Sequence, residues 1–190
     1  IENELIKVLR NYDQWVLWMY RDGKKVPFQA GTGHFASVDK PETWTSYEHV
    51  KRHESKGFVL SDEIPLTVID LDHCIGAQGK VQSQTSKILM YFQSYTEISP
   101  SGTGVHVCVR GKIPSAIKRE TCEIYSKLRY MTVTGNAAFN CPLANCQLQL
   151  DRIFEKYGRT NLFENEDCKG EVECREELRK LYKVSAQLRR

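Results

Sequence analysis

Two carboxylates separated by one residue inside an apolar run, Thr67-Val68-Ile69-Asp70-Leu71-Asp72-His73, constrain this chain more than any other stretch. Branched and apolar residues in so short a run favour a strand, in which residues i and i+2 point to the same side. Val68, Asp70 and Asp72 then share one face, while Thr67, Ile69 and Leu71 take the other. The fold has to bury this strand and still give two acids a common outlet. Oxygen ligands set side by side on a rigid strand suit a hard divalent cation, Mg²⁺ or Mn²⁺, and without one they repel each other. The competing reading of the same pattern is a strand end whose acids simply face water.

A second informative segment follows a helix expected over residues 83–95, which carries Ile88, Leu89 and Phe92 on one face. It reads Ile98-Ser99-Pro100-Ser101-Gly102-Thr103-Gly104-Val105-His106-Val107-Cys108-Val109. The Ser-Pro-Ser-Gly-Thr-Gly loop has glycines that allow close backbone approach, and hydroxyl and N–H groups that could cradle phosphate oxygens. The strand after it alternates, with Val105, Val107 and Val109 on a core face and His106, Cys108 and Arg110 on the other. A histidine on the polar face of a strand beside such a loop is a functional candidate. Cys108 reads as small packing.

The remaining chain reads as mixed α and β. Residues 2–11 form a short amphipathic helix; residues 14–20 and 24–29 are strands joined by the hairpin signal Asp22-Gly23. Ser46 is placed to cap a short helix over residues 47–54, and residues 57–60 form a strand. Residues 121–125 and 128–134 read as paired strands about a Ser126-Lys127 turn, with Glu123 and Tyr125 on one face. Residues 136–145 read as a loop, residues 147–157 as a helix, and residues 171–188 as a highly charged helix in need of a partner surface.

The chain is long enough for one substantial core, and its 41% hydrophobic and 27% charged residues describe an ordinary globular protein. A net charge of +3 permits nucleic-acid binding without demanding it. Seven cysteines, with neither a signal peptide nor a bilayer-spanning apolar run, lead to the expectation of reduced thiols in a cytoplasmic setting and no membrane partner. Cys141 and Cys146 lie five apart and Cys168 and Cys174 six apart. Structural zinc pairs typically have about two to four residues between them, so zinc is not expected. A start at Ile1 and a charged helical end suggest a piece of a longer protein.

In this order, Val-Ile-Asp-Leu-Asp-His, Ser-Pro-Ser-Gly-Thr-Gly-Val-His-Val and Glu-Ile-Tyr with Arg-Tyr-Met-Thr-Val-Thr-Gly resemble the primase-polymerase domains of the archaeo-eukaryotic primase superfamily, especially those of phages and plasmids. The hairpin with Gln14-Trp15-Val16 and Lys25-Val26-Pro27 extends the resemblance towards the N-terminus. It implies an α+β fold with a mixed or antiparallel catalytic sheet and flanking helices. Residues 1–160 would be the catalytic core, and residues 161–190 the start of a larger helical region. The family's acid pair falls on Asp70 and Asp72, and its third carboxylate on Glu123. Its triphosphate-holding loop falls on Ser99, Ser101, Gly102 and Thr103 and ends at His106.

The resemblance further implies a DNA polymerase, and a primase in some members, using two Mg²⁺ or Mn²⁺ ions with dNTP (or NTP) on single-stranded or primed DNA in a bacterial or phage-infected cell. A helicase domain or protein is the expected partner. Arg129 and Lys25 are further candidates for nucleotide or template contacts, and Lys112, Lys118 and Arg119 for the template backbone. Two other readings compete. A replication-initiator nicking endonuclease wants two histidines flanking an apolar residue, where His106-Val107-Cys108 has only one, and a helix-borne tyrosine, for which Tyr91 is the candidate. A catalytically silent single-stranded nucleic-acid binding module would have no use for three retained acids.

Overall fold

The structure, a computed structural model, describes residues 2–158. The helix expected over residues 171–188, and Cys168 and Cys174, lie outside the described residues. In chain order the first elements are α1 (Glu4–Leu9), β1 (Trp15–Arg21), β2 (Lys24–Phe28), α2 (Tyr47–Val50), β3 (Lys56–Leu60) and β4 (Leu66–Leu71). They are followed by α3 (Ser83–Phe92), β5 (Thr96–Ile98), β6 (Val105–Arg110), β7 (Ile117–Lys118), β8 (Cys122–Tyr125), β9 (Arg129–Thr132), β10 (Ala137–Phe139) and α4 (Gln147–Tyr157). The class is α+β. A four-stranded sheet has the order β2-β1-β3-β9 and a six-stranded sheet the order β10-β5-β6-β4-β8-β7, and every pairing within them is antiparallel.

Local chemistry accounts for the clearest elements. Asp22 and Gly23 both have positive φ, 50° and 74°, as the tight hairpin turn between β1 and β2 requires. Asn3 caps α1, its side-chain oxygen accepting from the Ile6 N–H at 3.0 Å, while Leu5 and Leu9 are buried below. β4 is central in its sheet, and both of its faces are covered. Ile69, Leu71, Val105, Val107, Val109 and Ile124 pack with Phe92 of α3 and Leu150 of α4. Val68, Cys108 and Tyr125 pack on the opposite side with Trp15, Phe58 and Met131 of the four-stranded sheet.

Several expectations need correction. The strands at residues 121–125 and 128–134 do not form a hairpin: β8 pairs with β4 and β7, whereas β9 pairs with β3 in the other sheet. The link between them turns at Leu128, φ 54°, whose N–H donates to the Leu60 carbonyl at 3.1 Å. Splitting the strands lets Ile124 face the helices while Met131 fills the space between the sheets, two apolar sites that one hairpin could not serve. The second face of β6 is not a solvent face either, since His106 is 4% and Cys108 0% exposed. α2 is only one turn, and the Ser46 hydroxyl meets the His49 ring at 3.0 Å instead of capping it. α3 stops at Phe92 because Gln93 turns left-handed, and this frees the chain for β5, a strand the local pattern did not reveal. β10 likewise lies within the stretch read as a loop.

Candidate active site

Register brings together side chains that lie far apart in the sequence. Asp70 on β4 stands opposite His106 on β6 and Glu123 on β8; His106 stands opposite Glu97 on β5, and Glu123 opposite Lys118 on β7. Directly opposed residues of neighbouring strands share a face. A continuous row therefore crosses the six-stranded sheet in the order Glu97, His106, Asp70, Glu123, Lys118.

Contacts within the row are specific. His106 Nε2 lies 3.6 Å from Asp70 Oδ1, and its Nδ1 lies 3.3 Å from Glu97 Oε1. The Tyr125 hydroxyl is 3.5 Å from Asp70 Oδ2. Glu123 is ion-paired with Arg129 of β9, whose guanidinium also lies over the Tyr125 ring, 5.6 Å from its centre. Asp70, His106, Tyr125, Arg129, Thr132 and Lys25 line one cleft of about 340 Å³ between the two sheets. Lys25 reaches it from β2, its ammonium 5.8 Å from the centre of the Trp18 ring.

The electrostatics of this cleft are unbalanced at Asp70. Burial pushes its carboxyl above the ordinary range; His106 pulls it back, the charges of Asp72 and Glu123 push it further up, and Lys25 offsets part of that. The same acids act on their neighbours. Burial first, then Asp70 and Glu123, push the Cys122 thiol up to about 11, and burial raises the Tyr125 phenol. Such a surplus of negative charge is what a cation would relieve.

Asp72 lies just past the end of β4, exposed, with its N–H donating to the Thr121 carbonyl at 3.0 Å. The loop at residues 99–104 backs onto this strand end. A Cβ on Gly104 would come within 2.7 Å of the Leu71 carbonyl oxygen, so the approach needs glycine. The loop hydroxyls form a chain, Ser99 to Ser101 and Ser101 to Thr103, each link 3.0 Å. The N–H groups of Gly102, Thr103 and Gly104 donate within the loop, to Ser99 O at 2.9 Å, Ser101 Oγ at 3.3 Å and Ser99 Oγ at 3.2 Å. The expected N–H cradle is therefore satisfied internally, and the exposed hydroxyls of Ser101 and Thr103 are the groups it offers outward. Residues 99–104 do not line the Asp70 cleft. Pro100 instead lines a second one of about 540 Å³, with Trp18, Arg52, Lys56 and Thr134.

Carboxylates at Asp70, Asp72 and Glu123 fit a hard divalent cation in kind. In position they are not yet gathered: among the described residues no group of three His, Cys, Asp or Glu side chains converges as a ready ligand set, and Glu123 is held by Arg129. Lys112 does not stand ready for a template, because its ammonium donates to the carbonyls of Ser61 and Ser126. Arg119 is exposed and reaches Tyr157, its guanidinium 5.8 Å from the ring centre. Tyr91 meets the Phe92 ring edge to face on the helix-covered side of the six-stranded sheet, away from Asp70. Glu97 went unrecognised in the sequence. Its one local signal is an acid flanked by Thr96 and Ile98, a strand-like triplet too short to stand out.

No family model matches the chain. A 149-residue alignment that covers 71% of this chain and 21% of the relative shows 38% identity to the DNA primase-polymerase of Nitratiruptor phage NrS-1. The chain thus spans about a fifth of that relative's length. The resemblance carried by Asp70, Asp72 and the loop ending at His106 and the identity across most of the chain agree: this chain carries a primase-polymerase domain of the phage type.

Proposed function

We propose that this domain is a template-directed nucleotidyltransferase of DNA replication, adding deoxynucleotides to a 3′-hydroxyl on a core of the archaeo-eukaryotic primase type. The observation that carries the reading is the row of His106, Asp70 and Glu123, in which Asp70 and His106 line a cleft whose far wall supplies Arg129 and Lys25. Acids on one wall and cations on the other suit a substrate that brings both divalent metal and phosphate.

Asp70 and Asp72 would hold Mg²⁺ or Mn²⁺, with Glu123 joining them on release from Arg129. Two such ions, when bound, offset triphosphate charge and activate the attacking hydroxyl. The remaining work falls to the protein. His106, carrying hydrogen on both ring nitrogens, donates its Nε2–H to a phosphate oxygen, and the freed Arg129 guanidinium offers a planar pair of donors to another. Lys25 adds a point charge at the cleft mouth. The Ser101 and Thr103 hydroxyls exchange their mutual hydrogen bonds for phosphate oxygens, and Ser99 and Gly102 keep the loop in shape. Lys118 and Arg119, exposed at the β7 edge, meet the backbone of a single-stranded or primed template, which makes binding fall steeply with salt.

No helix among the described residues is long and apolar enough to cross a membrane. The proposed setting is the cytoplasm of a bacterial or phage-infected cell, with a helicase as the partner that supplies single strands. The test is incorporation of labelled dNTP on primed and unprimed single-stranded templates with Mg²⁺ or Mn²⁺. Wild type extends the primed template and Asp70→Ala does not. Equal extension by both proteins, or by neither, sinks the reading. De novo priming is expected to need segments beyond this domain, so matching dinucleotide synthesis by this chain and a longer one would refute that dependence.

A further inference from the structure

Glu97 has no part in the chemistry above, yet it is a fully buried acid in the middle of a strand. A buried carboxylate is costly unless its oxygens are satisfied. Here the two oxygens face three donors and one ring nitrogen. Oε1 accepts from Thr134 N at 3.0 Å and lies 3.3 Å from His106 Nδ1; Oε2 accepts from Gly135 N at 3.1 Å and from the Tyr95 hydroxyl at 3.2 Å. The Tyr95 oxygen in turn accepts from Asn3 Nδ2 at 2.7 Å, so the residue that caps α1 also braces this acid.

An acceptor ringed by donors dictates the state of the ring it meets. Both Glu97 oxygens already accept from a backbone N–H, so the His106 nitrogen that faces Oε1 is the group to carry the hydrogen of that contact. That nitrogen is Nδ1. Its commitment leaves Nε2 on the Asp70 side, at the cleft. The plane of the ring is fixed by the same contact, because Glu97 is itself held by two backbone N–H groups that cannot turn away.

We propose that Glu97 is a positioning residue, which holds His106 with hydrogen on Nδ1 and aims Nε2 into the cleft. The role assigned to His106 at a phosphate rests on the function proposed above; the ring state does not. Acidic partners behind a working histidine set its orientation at other sites, where losing one typically costs about 10–100-fold.

The experiment combines a spectrum with a double-mutant cycle. In [¹⁵N]histidine-labelled wild type, long-range ¹⁵N–¹H correlation reports which nitrogen of His106 is protonated, with His106→Ala assigning the signal. A proton on Nδ1 supports the proposal, and a ring protonated at Nε2 alone overturns it, whether or not the protein polymerises. In Glu97→Gln the Nδ1 signature is lost, and KM for dNTP rises roughly tenfold with a smaller change in kcat. Adding Glu97→Gln to His106→Ala costs nothing further. A second, multiplicative loss in the double variant would show Glu97 acting elsewhere and overturn the assignment. Should Glu97→Gln fail to fold, the wild-type spectrum decides alone. Should wild type prove inactive, the polymerase reading falls and the spectrum still decides the ring state.

Discussion

Two positions in the polar row, Glu97 at one end and Asp70 at the centre, treat the same chemical group in opposite ways. At Glu97 a carboxylate is wholly buried and meets three donors, two of them backbone N–H groups, besides the His106 ring. At Asp70 a half-buried carboxylate has fewer compensating groups, and burial with the like charges of Asp72 and Glu123 raises its carboxyl. Compensated charge holds the fold together; uncompensated charge costs stability and is retained where an outside partner supplies the balance. The difference sets a compensated carboxylate apart from an uncompensated one within a single row of residues.

Exchanging these roles is the sharpest way to break the comparison. Asp70→Asn should lower nucleotide incorporation on the order of 10³-fold, as measured by primer extension, because charge stabilisation at a reacting phosphate is lost. The same change should not lower the melting temperature, since it removes a disfavoured charge. A large loss of stability with activity retained would reverse the assignment of the two positions.

Glu97→Ala should do the opposite to stability. It strands the Thr134 and Gly135 N–H groups, the Tyr95 hydroxyl and the His106 ring, and denaturant unfolding should show a loss of about 3–5 kcal/mol, the usual cost of removing one partner from a buried charged pair. A near-neutral result would mean that the buried acid braces nothing.

Metal addition probes the Asp70 position directly. If Mn²⁺ binds only the folded protein, a concentration about 100 times its Kd should stabilise wild type by about 2.7 kcal/mol, read as a rise in melting temperature and reversed by chelator. Asp70→Asn should lose most of that gain, and Glu97→Gln should keep it.

The smallest effect is expected at Arg129, which pairs with Glu123 at the partly exposed rim. Arg129→Ala should change stability by about 0–1 kcal/mol, as exposed ion pairs do, while raising KM for dNTP. Loss of several kcal/mol with an unchanged KM would make the pair a structural clasp.

The legibility of the site followed the range of the interactions that build it. Asp70, Asp72 and His106 stood out because an acid pair in a branched strand and a histidine after a small-residue loop are local patterns. Lys112 misled because surface exposure is the default for lysine, and nothing local tells that Ser61 and Ser126 turn their carbonyls to it. Glu97 was invisible because, apart from Tyr95, its partners come from two distant segments of the chain, at His106 and at Thr134-Gly135.

By itself, then, the sequence determined the β4 strand and its two acids, the Asp22-Gly23 hairpin, α4 and the small-residue loop, each specified by residue spacing or turn chemistry within a few positions. Tertiary structure alone decided that β8 and β9 part into different sheets, that Glu123 falls opposite Asp70, and that Glu97 stands behind His106. The physical reason is register: a strand's neighbour and its alignment are chosen by which faces the core can bury, and a shift of one residue would turn every one of these side chains to the opposite face.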